Sequence, residues 1–241
     1  MFKTLLYNKN HGNENVAIFE VSDLYAQNQK KQIHLAIVLS GNDLRRHYVS
    51  GEEYSFYHMK GFVEEILALY HIDGKRAQFE RANEKEFHPG KSAVVKVDGK
   101  VVAIFGELHP TLSKEYGFGK DKVIALEMDL AAIFATKTSP VTMEQISRYP
   151  SVSRDFAFIL SNDVTTKEVI AEIRKTDKTL IRDVHVFDVY HGEHIEEGFY
   201  SLAVSVSIGS FEKTLNEQEL SQVEEKIKQA VIVKFGAKLR Q

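Results

Sequence analysis

The side chains best suited to read a nucleic-acid base lie in the string FDVYHG at 187–192. Asp188 supplies a carboxylate that accepts hydrogen bonds, and Tyr190 supplies an aromatic ring on which a base can stack. The structural alternative is that Asp188 caps the end of a strand and Tyr190 packs under the following loop. The residues alone leave both interpretations open.

The ten histidines raise the question of a metal site. His88 and His109, with Glu107, are the strongest candidates, but both histidines precede a proline and the chain has no HExxH pair of ligands. The phosphate-loop, dinucleotide-binding and nucleophile-elbow strings are absent as well. The sequence therefore predicts no metal ligands and no catalytic residues.

Composition limits the classes of partner. The formal net charge is −3, and the 241 residues include no cysteine, no run of 18 apolar residues and no signal-peptide pattern. The charge is −1 before residue 146 and −2 from there on, so neither half attracts phosphates strongly. We expect a soluble cytoplasmic protein whose nucleic-acid contacts, if any, are local and directed at bases.

The last third of the chain shows the element order strand, helix, strand, strand, helix, strand. Alternating apolar residues predict the strands, and the pairs Thr165/Glu168 and Asn216/Glu219 predict helix starts with capping boxes. The predicted strands are 155–160, 184–190, 202–208 and 237–240, with a polar hairpin loop at 191–198 and a helix stop at Gly236. This order is typical of a ferredoxin-like βαββαβ sandwich, with two helices on one face of an antiparallel sheet and the other face open.

Residues 1–135 predict a second α+β unit with an antiparallel sheet. The predicted strands are 17–25, 33–40, 92–97, 101–106 and 123–128, and Asp98-Gly99 predicts a hairpin between two of them. A helix is predicted near 56–70, where Tyr57, Phe62 and Tyr70 lie off the main apolar stripe; it either has a second buried side or is a core helix. Residues 136–146 have no clear period and are interpreted as a linker.

The motifs of both units resemble those of one protein family. RYPSVSRDFAF, FDVYHG, EGFYSLAVSV, TLNEQE and FGAKLR occur over 147–241 in the order found in the ferredoxin-fold anticodon-binding domain of bacterial phenylalanyl-tRNA synthetase beta subunits. FEVSDLY, YHMKG, HPGKSA and GELHP resemble the catalytic-like but inactive class II module that precedes it. Because the family's amino-terminal modules are missing, the chain is interpreted as a C-terminal piece of such a subunit; a naturally short paralogue is the alternative.

The resemblance implies roles for four residues. In the family an Asp-x-Tyr pair, here Asp188 and Tyr190, recognises the wobble guanine of the anticodon. A carboxylate can accept from guanine N1–H and N2–H₂ together, which no other standard base offers on that edge. Ser201 matches a serine that contacts the same nucleotide, and Arg240 matches an arginine near it, although the spacing at the tail is loose.

Two positions depart from the family pattern or are ambiguous. The family commonly has lysines directly before the serine, where this chain has Phe199 and Tyr200. That change removes local positive charge and puts a phosphate contact in question; the two rings could supply stacking surface instead. Arg154 and Asp155 stand together at a strand start, and we predict that Arg154 bridges to other strands.

The resemblance also implies partners. These are the alpha subunit in an (αβ)₂ heterotetramer and tRNA-Phe, with no membrane and no DNA. ATP and Mg belong to the holoenzyme, and this chain holds no cofactor and catalyses nothing alone. Two alternatives share the βαββαβ order: a regulatory amino-acid-binding domain, although its first strand-to-helix loop SNDVTT (161–166) lacks the usual glycine, and a scaffold that binds only protein.

Overall fold

A computed structural model describes residues 1–25, 31–43, 51–74, 76–141, 143, 146–193 and 195–240. The chain forms two compact units, Met1–Thr142 and Met143–Gln241. Each unit has its own antiparallel sheet, which confirms the predicted α+β class. No helix in the described ranges is long and apolar enough to cross a membrane. His194 of the predicted hairpin loop and residues 142, 144 and 145 of the predicted linker lie outside the described residues.

The first unit is a six-stranded sheet with four helices around it. Its sheet order is β1-β2-β6-β5-β4-β3, and every pair of neighbours is antiparallel. The elements in chain order are α1 (Phe2–Asn10), β1 (Val16–Tyr25), β2 (Lys31–Ser40), α2 (Phe56–Leu69), β3 (Ala77–Arg81), β4 (Phe87–Val97), β5 (Lys100–Leu108), α3 (Pro110–Glu115), β6 (Val123–Asp129) and α4 (Leu130–Phe134).

Both faces of this sheet carry buried side chains. On one face, Leu35 and Leu39 of β2 pack in a cluster with the buried stripe of α2, which is Met59, Val63 and Leu67. On the other face, Val38 and Ala125 pack in a second cluster with Leu5 of α1. Because successive residues of a strand point to opposite faces, β2 and β6 read as continuous apolar runs rather than as alternating patterns.

The sequence predicted five of the six strands and the long helix of this unit. The Asp98-Gly99 hairpin is confirmed, with φ values of 50° and 80° that match a type I′ turn. The short elements α1, β3, α3 and α4 were not predicted. Each has at most nine residues, so it offers too few repeats of an apolar period to be recognised.

The second unit is the predicted ferredoxin-like sandwich. Its sheet order β10-β7-β9-β8 is fully antiparallel. The elements are β7 (Val152–Ser161), α5 (Thr166–Thr176), β8 (Ile181–Tyr190), β9 (Phe199–Ile208), α6 (Glu217–Phe235) and β10 (Lys238–Leu239). The predicted alternation in β7 is confirmed, since Phe156, Phe158 and Leu160 are buried among the apolar residues of α5 and α6.

The predicted helix boundaries of this unit are confirmed at atomic detail. At the start of α5, the Glu168 N–H donates to Thr165 Oγ1 at 3.3 Å, and the Thr165 N–H donates to Glu168 Oε2 at 2.9 Å. Asn216 and Glu219 make the same reciprocal pair at the start of α6. Gly236 ends α6 in the left-handed region at φ 63°, where a glycine avoids the steric cost of a Cβ.

One predicted contact is wrong. Arg154 does not bridge to other strands; its Nε donates to Glu224 Oε1 at 2.6 Å and its Nη2 to Glu217 Oε2 at 3.3 Å, both on α6. Arg154 lies two residues before the buried Phe156, on the same helix-facing side of β7, so its long side chain reaches α6 directly. It therefore ties the sheet to α6, which favours the structural interpretation of this residue.

Candidate nucleic-acid interface

The open face of the four-stranded sheet brings together three of the four residues that the sequence indicated. Tyr190 of β8 lies directly opposite Ser201 of β9 in the strand register, and Asp188 lies opposite Ala203. On β9, Leu202 and Val204 face the helices and are fully buried, so Ser201 and Ala203 belong to the other face. Asp188 and Tyr190 therefore project from the face that carries no helix.

A β-bulge at Phe187 turns Asp188 and Tyr190 to this face. The register pairs Val186 with Val204 and then Asp188 with Ala203, which leaves Phe187 as an extra residue. Val184 and Val186 pack on the helix side. Without the bulge, simple alternation would send Asp188 and Tyr190 to the helix side as well. The apolar pattern of 184–190 predicts a regular strand, so the irregularity at Phe187 is visible only in the structure.

Arg240 reaches the same place from the opposite edge of the sheet. Its backbone N–H donates to the Ala157 carbonyl at 2.9 Å, which extends the pairing of the two-residue strand β10 with β7. Its Nη1 donates to Ser201 Oγ at 3.4 Å, and its guanidinium carbon lies 5.2 Å from the centroid of the Tyr190 ring. The side chain thus crosses β7 and joins residues of β9 and β8.

Small residues provide the room for this crossing. Ala157 and Ala203 are register partners in the row next to Ser201. Ser201 and Ala203 are both buried even though no helix lies over them. A long side chain can therefore lie close to the sheet surface, and the guanidinium is presented beside the Tyr190 ring.

Asp188 is the fourth residue and stays apart from this cluster. It is exposed, and among the described residues nothing forms a hydrogen bond or ion pair with its carboxylate. It lies on the same face as Tyr190, one register pair away. The carboxylate is therefore available to accept hydrogen bonds from a ligand, while Tyr190, Ser201 and Arg240 contact one another.

The two aromatic residues directly before Ser201 lie in different environments. Tyr200 is buried in the core, and its hydroxyl donates to the Val164 carbonyl at 2.8 Å. Burial raises the pKa of its phenol above the usual 10.0. The idea that Tyr200 could offer stacking surface is therefore wrong. Phe199 alternates onto the open face and is partly exposed, so it alone could do so.

The metal candidates have local structural partners. His109 caps α3, since its Nδ1 accepts from the Thr111 N–H at 3.2 Å, and His88 Nδ1 accepts from the Gly90 N–H at 3.1 Å. Glu107 pairs with Lys91 at 2.8 Å. In the part of the chain that the structure describes, no three His, Cys, Asp or Glu side chains are grouped to hold a metal.

Helix α2 of the first unit has one covered and one uncovered side. Phe62 packs against the core beside the main stripe, which shows that this helix face is internal. Tyr57 and Leu69 are about three-quarters exposed, and Tyr70 packs on the partly exposed Phe134 with ring centroids 5.3 Å apart. Strand β1 at the edge of the sheet also exposes apolar residues, among them Phe19, Val21 and Tyr25.

Comparison with known proteins covers nearly the whole chain. The family model of the phenylalanyl tRNA synthetase beta chain CLM domain matches residues 1–130, and that of the ferredoxin-fold anticodon binding domain matches residues 147–240. The phenylalanine–tRNA ligase beta subunit of Geobacillus kaustophilus is 33% identical over 97% of this chain and 30% of its own length. The same subunit of Vibrio cholerae is 32% identical over 100% of this chain and 31% of its own length.

A third relative, the phenylalanine–tRNA ligase beta subunit of Bacillus subtilis, is 30% identical over 100% of this chain and 30% of its own length. The chain thus spans less than a third of the length of these curated relatives. A crystal structure of pyrrolysyl-tRNA synthetase from Desulfitobacterium hafniense matches 55% of this chain and 45% of its own at 12% identity. Its TM-score of 0.41 is too low to support a structural argument.

Proposed function

Because this chain belongs to the family of phenylalanine–tRNA ligase beta subunits, we propose that residues 147–241 bind the anticodon of tRNA-Phe and recognise its wobble guanine. The observation that carries this proposal is the convergence of Tyr190, Ser201 and Arg240 beside the exposed carboxylate of Asp188, on the sheet face opposite α5 and α6. Such a face can hold an unstacked base. Most sequence-specific RNA-binding proteins recognise unstacked bases, by stacking them on aromatic side chains and hydrogen-bonding their edges.

Each residue has a distinct task in this proposal. The Tyr190 ring stacks on the base, a contact typically worth about 1–3 kcal/mol. The Asp188 carboxylate accepts from N1–H and N2–H₂ of guanine, which is a bidentate, charge-assisted arrangement. Arg240 and Ser201 contact the same nucleotide, and the guanidinium supplies a local positive charge on a chain whose net charge is −3.

The experiment is fluorescence anisotropy of the chain with an anticodon stem-loop of tRNA-Phe, carrying either the wobble guanine or an adenine. We expect weak binding with a preference for guanine, because the chain is only part of the length of its relatives. Tyr190→Ala should reduce affinity for the guanine loop by about 5- to 150-fold, the equivalent of one lost stack. Binding that is equal for both loops would contradict base recognition.

Asp188→Asn separates recognition from stacking. The amide replaces one acceptor with a donor that faces the donors of guanine, so the guanine loop should lose more affinity than the adenine loop. Asp155→Asn is a matched control, since Asp155 lies on the same face of β7, opposite Ser205, and away from Tyr190. Equal losses on both loops with Asp188→Asn would remove its proposed role.

We also propose that residues 1–135 support assembly with the alpha subunit, and that 136–146 act as the linker to the domain at 147–241. The support is the family membership together with the exposed apolar side chains of β1 and α2. In this proposal ATP and Mg act at the alpha subunit, aminoacylation occurs in the cytoplasm, and this chain holds no cofactor. Regulatory amino-acid binding and a purely protein-binding scaffold are the competing proposals.

A pair of matched variants tests assembly. Val21→Glu places a charge on the exposed edge strand β1, and Val233→Glu places one on the exposed surface of α6. Size-exclusion chromatography with purified alpha subunit should show loss of the complex for Val21→Glu, because a buried charge at an apolar interface is costly. Val233→Glu should keep the complex. If both variants assemble normally, β1 is not part of the interface.

A further inference from the structure

The Tyr190 ring packs closely against the backbone of Gly192. A Cβ added to Gly192 would lie 2.5 Å from Tyr190 Oη, 2.6 Å from Cζ and 3.2 Å from Cε1. Real Cβ atoms essentially never come within 3.0 Å of another heavy atom. The three nearest atoms all belong to Tyr190, so this side chain occupies the space directly beside Gly192.

The glycine is needed for this close approach and not for an unusual backbone shape. Gly192 is not among the glycines with positive φ, which in this unit are Gly198 and Gly236. An alanine could therefore adopt the same backbone conformation without strain. The conflict it would create lies at the far end of the tyrosine side chain, which can move away by rotation.

Two weaker contacts complete the setting of the ring. The Tyr190 hydroxyl donates to the Glu193 carbonyl at 3.4 Å, a long hydrogen bond. The Arg240 guanidinium lies over the ring at 5.2 Å from its centroid and is itself held by Ser201. Residues 192–193 therefore fix the phenol end of the side chain, and the Arg240 guanidinium lies over the face of its ring.

We propose that Gly192 is a positioning residue, which sets the Tyr190 ring in the place from which it stacks on a base. This inference rests on the proposed function, because stacking is the task that the position serves. A methyl group at 192 would push the phenol end away from the turn, without removing any atom of the ring. Base binding at the wobble position is then weakened although Asp188, Tyr190, Ser201 and Arg240 are all still present.

The test is a double-mutant cycle in the full 241-residue chain, with the guanine stem-loop as the probe. Gly192→Ala should weaken binding at least fivefold and by no more than Tyr190→Ala does. In the Tyr190→Ala background, Gly192→Ala should change affinity by less than about twofold, because the side chain it displaces is gone. Losses that simply add, as damage to the loop would give, overturn the proposal.

A second readout follows the ring without RNA. The aromatic ring current of Tyr190 should shift the NMR signals of the Arg240 side chain, whose guanidinium carbon lies 5.2 Å from the ring centroid. Gly192→Ala should move these signals toward their positions in Tyr190→Ala. Gly74→Ala is the matched control, since a Cβ there meets nothing within 4 Å and the signals should stay in place.

The two readouts separate the failure of this inference from failure of the proposed function. Unchanged Arg240 signals in Gly192→Ala show that the ring has not moved and overturn the positioning role. Moved signals with unchanged affinity for the guanine loop overturn the link between ring position and base binding. If the unmodified chain binds no stem-loop at all, the proposed function fails, and moved signals then support only the packing of Tyr190 on Gly192.

Discussion

The two sheets of this molecule differ in how many of their faces are covered. The six-stranded sheet of the first unit packs against α2 on one face and against α1 on the other. The four-stranded sheet of the second unit carries α5 and α6 on one face only. Apolar side chains are therefore buried on both faces of the first sheet, whereas the open face of the second sheet can present Asp188 and Tyr190.

The difference in coverage also explains the pattern of apolar residues in the strands of each sheet. In the six-stranded sheet, apolar residues are needed on both sides of β2 and β6, and the strands read as continuous apolar runs. In the four-stranded sheet, Leu202, Val204 and Val206 alternate with Ser201, Ala203 and Ser205. Ser201, a small residue of the second set, accepts a hydrogen bond from Arg240 Nη1. Alternation in sequence is therefore a guide to where a ligand can approach.

The largest expected effect comes from the covered face of the second sheet. Phe158 is fully buried, so Phe158→Ala should lower the free energy of unfolding by about 3–5 kcal/mol. Phe187→Ala, at the exposed bulge of the same sheet, should change it by less than about 0.5 kcal/mol. Chemical denaturation followed by far-UV circular dichroism compares the two. Similar losses would contradict the division into one covered and one open face.

The next largest effect on the free energy of unfolding is expected on the second face of the six-stranded sheet, where α1 packs. Leu5 of α1 is fully buried, and Leu5→Ala should cost about 2–5 kcal/mol. Leu69→Ala, on the three-quarters exposed surface of α2, is the control and should cost less than about 0.5 kcal/mol. The same denaturation measurement applies. If Leu5→Ala proves neutral, α1 does not cover this face, and each of the two sheets then has one covered face and one open face.

A helix cap in the second unit should have a moderate effect. Asn216→Ala removes the acceptor for the Glu219 N–H, and a lost cap typically costs about 1 kcal/mol. Asn216→Asp keeps an acceptor at the same position and should be nearly neutral. Thermal melting of the three proteins measures this. A loss with aspartate as large as that with alanine would mean that the side-chain amide, rather than the cap, is what α6 requires.

The smallest expected effect is on the pH dependence of the melting temperature. Hydrogen bonds from the Thr165 hydroxyl and N–H lower the pKa of Glu168 below its usual 4.5. The stabilisation is therefore present above about pH 4.5 and is lost as the pH falls through the lower, folded-state pKa. Glu168→Gln, which cannot ionise, should give a shallower decrease of melting temperature below pH 4.5.

Glu225→Gln is the matched control for this titration. Its carboxylate lies on α6 and accepts from the Gln229 amide at 3.2 Å, with no part in a cap. The melting temperature of this variant should follow the same pH profile as the unmodified chain. A profile of Glu168→Gln that is parallel to that of the unmodified chain would show that the capping carboxylate does not contribute to acid sensitivity.

The fold of the second unit was predictable because several local signals agreed. Capping pairs, strand alternation and the glycine stop all pointed to the same βαββαβ order. In the first unit, α1 was missed because its nine residues bury only Leu5, so the sequence carries no visible stripe. The helix buries Leu5 through tertiary contacts with the sheet, and such contacts cannot be recognised from a short stretch of sequence.

The candidate site was only partly predictable. Family resemblance indicated Asp188, Tyr190, Ser201 and Arg240, and the structure brings the last three into contact. The bulge at Phe187 could not be read from the sequence, because FDVY fits a regular strand equally well. The role of Gly192 was also missed, since a glycine within a predicted hairpin loop is ordinarily explained by turn formation. Only the atomic contact with Tyr190 distinguishes close packing from backbone flexibility.

The left-handed turn at Gly236 has a practical consequence for handling this protein. It releases the chain from α6, so that within the next four residues Lys238 and Leu239 pair with β7 and Arg240 reaches Ser201. An affinity tag fused after Gln241 would begin two residues beyond Arg240 and would bring its own charges and bulk to the binding face. Purification tags and fluorescent labels therefore belong at the amino end, and a carboxyl-terminal polyhistidine should be removed before any RNA titration.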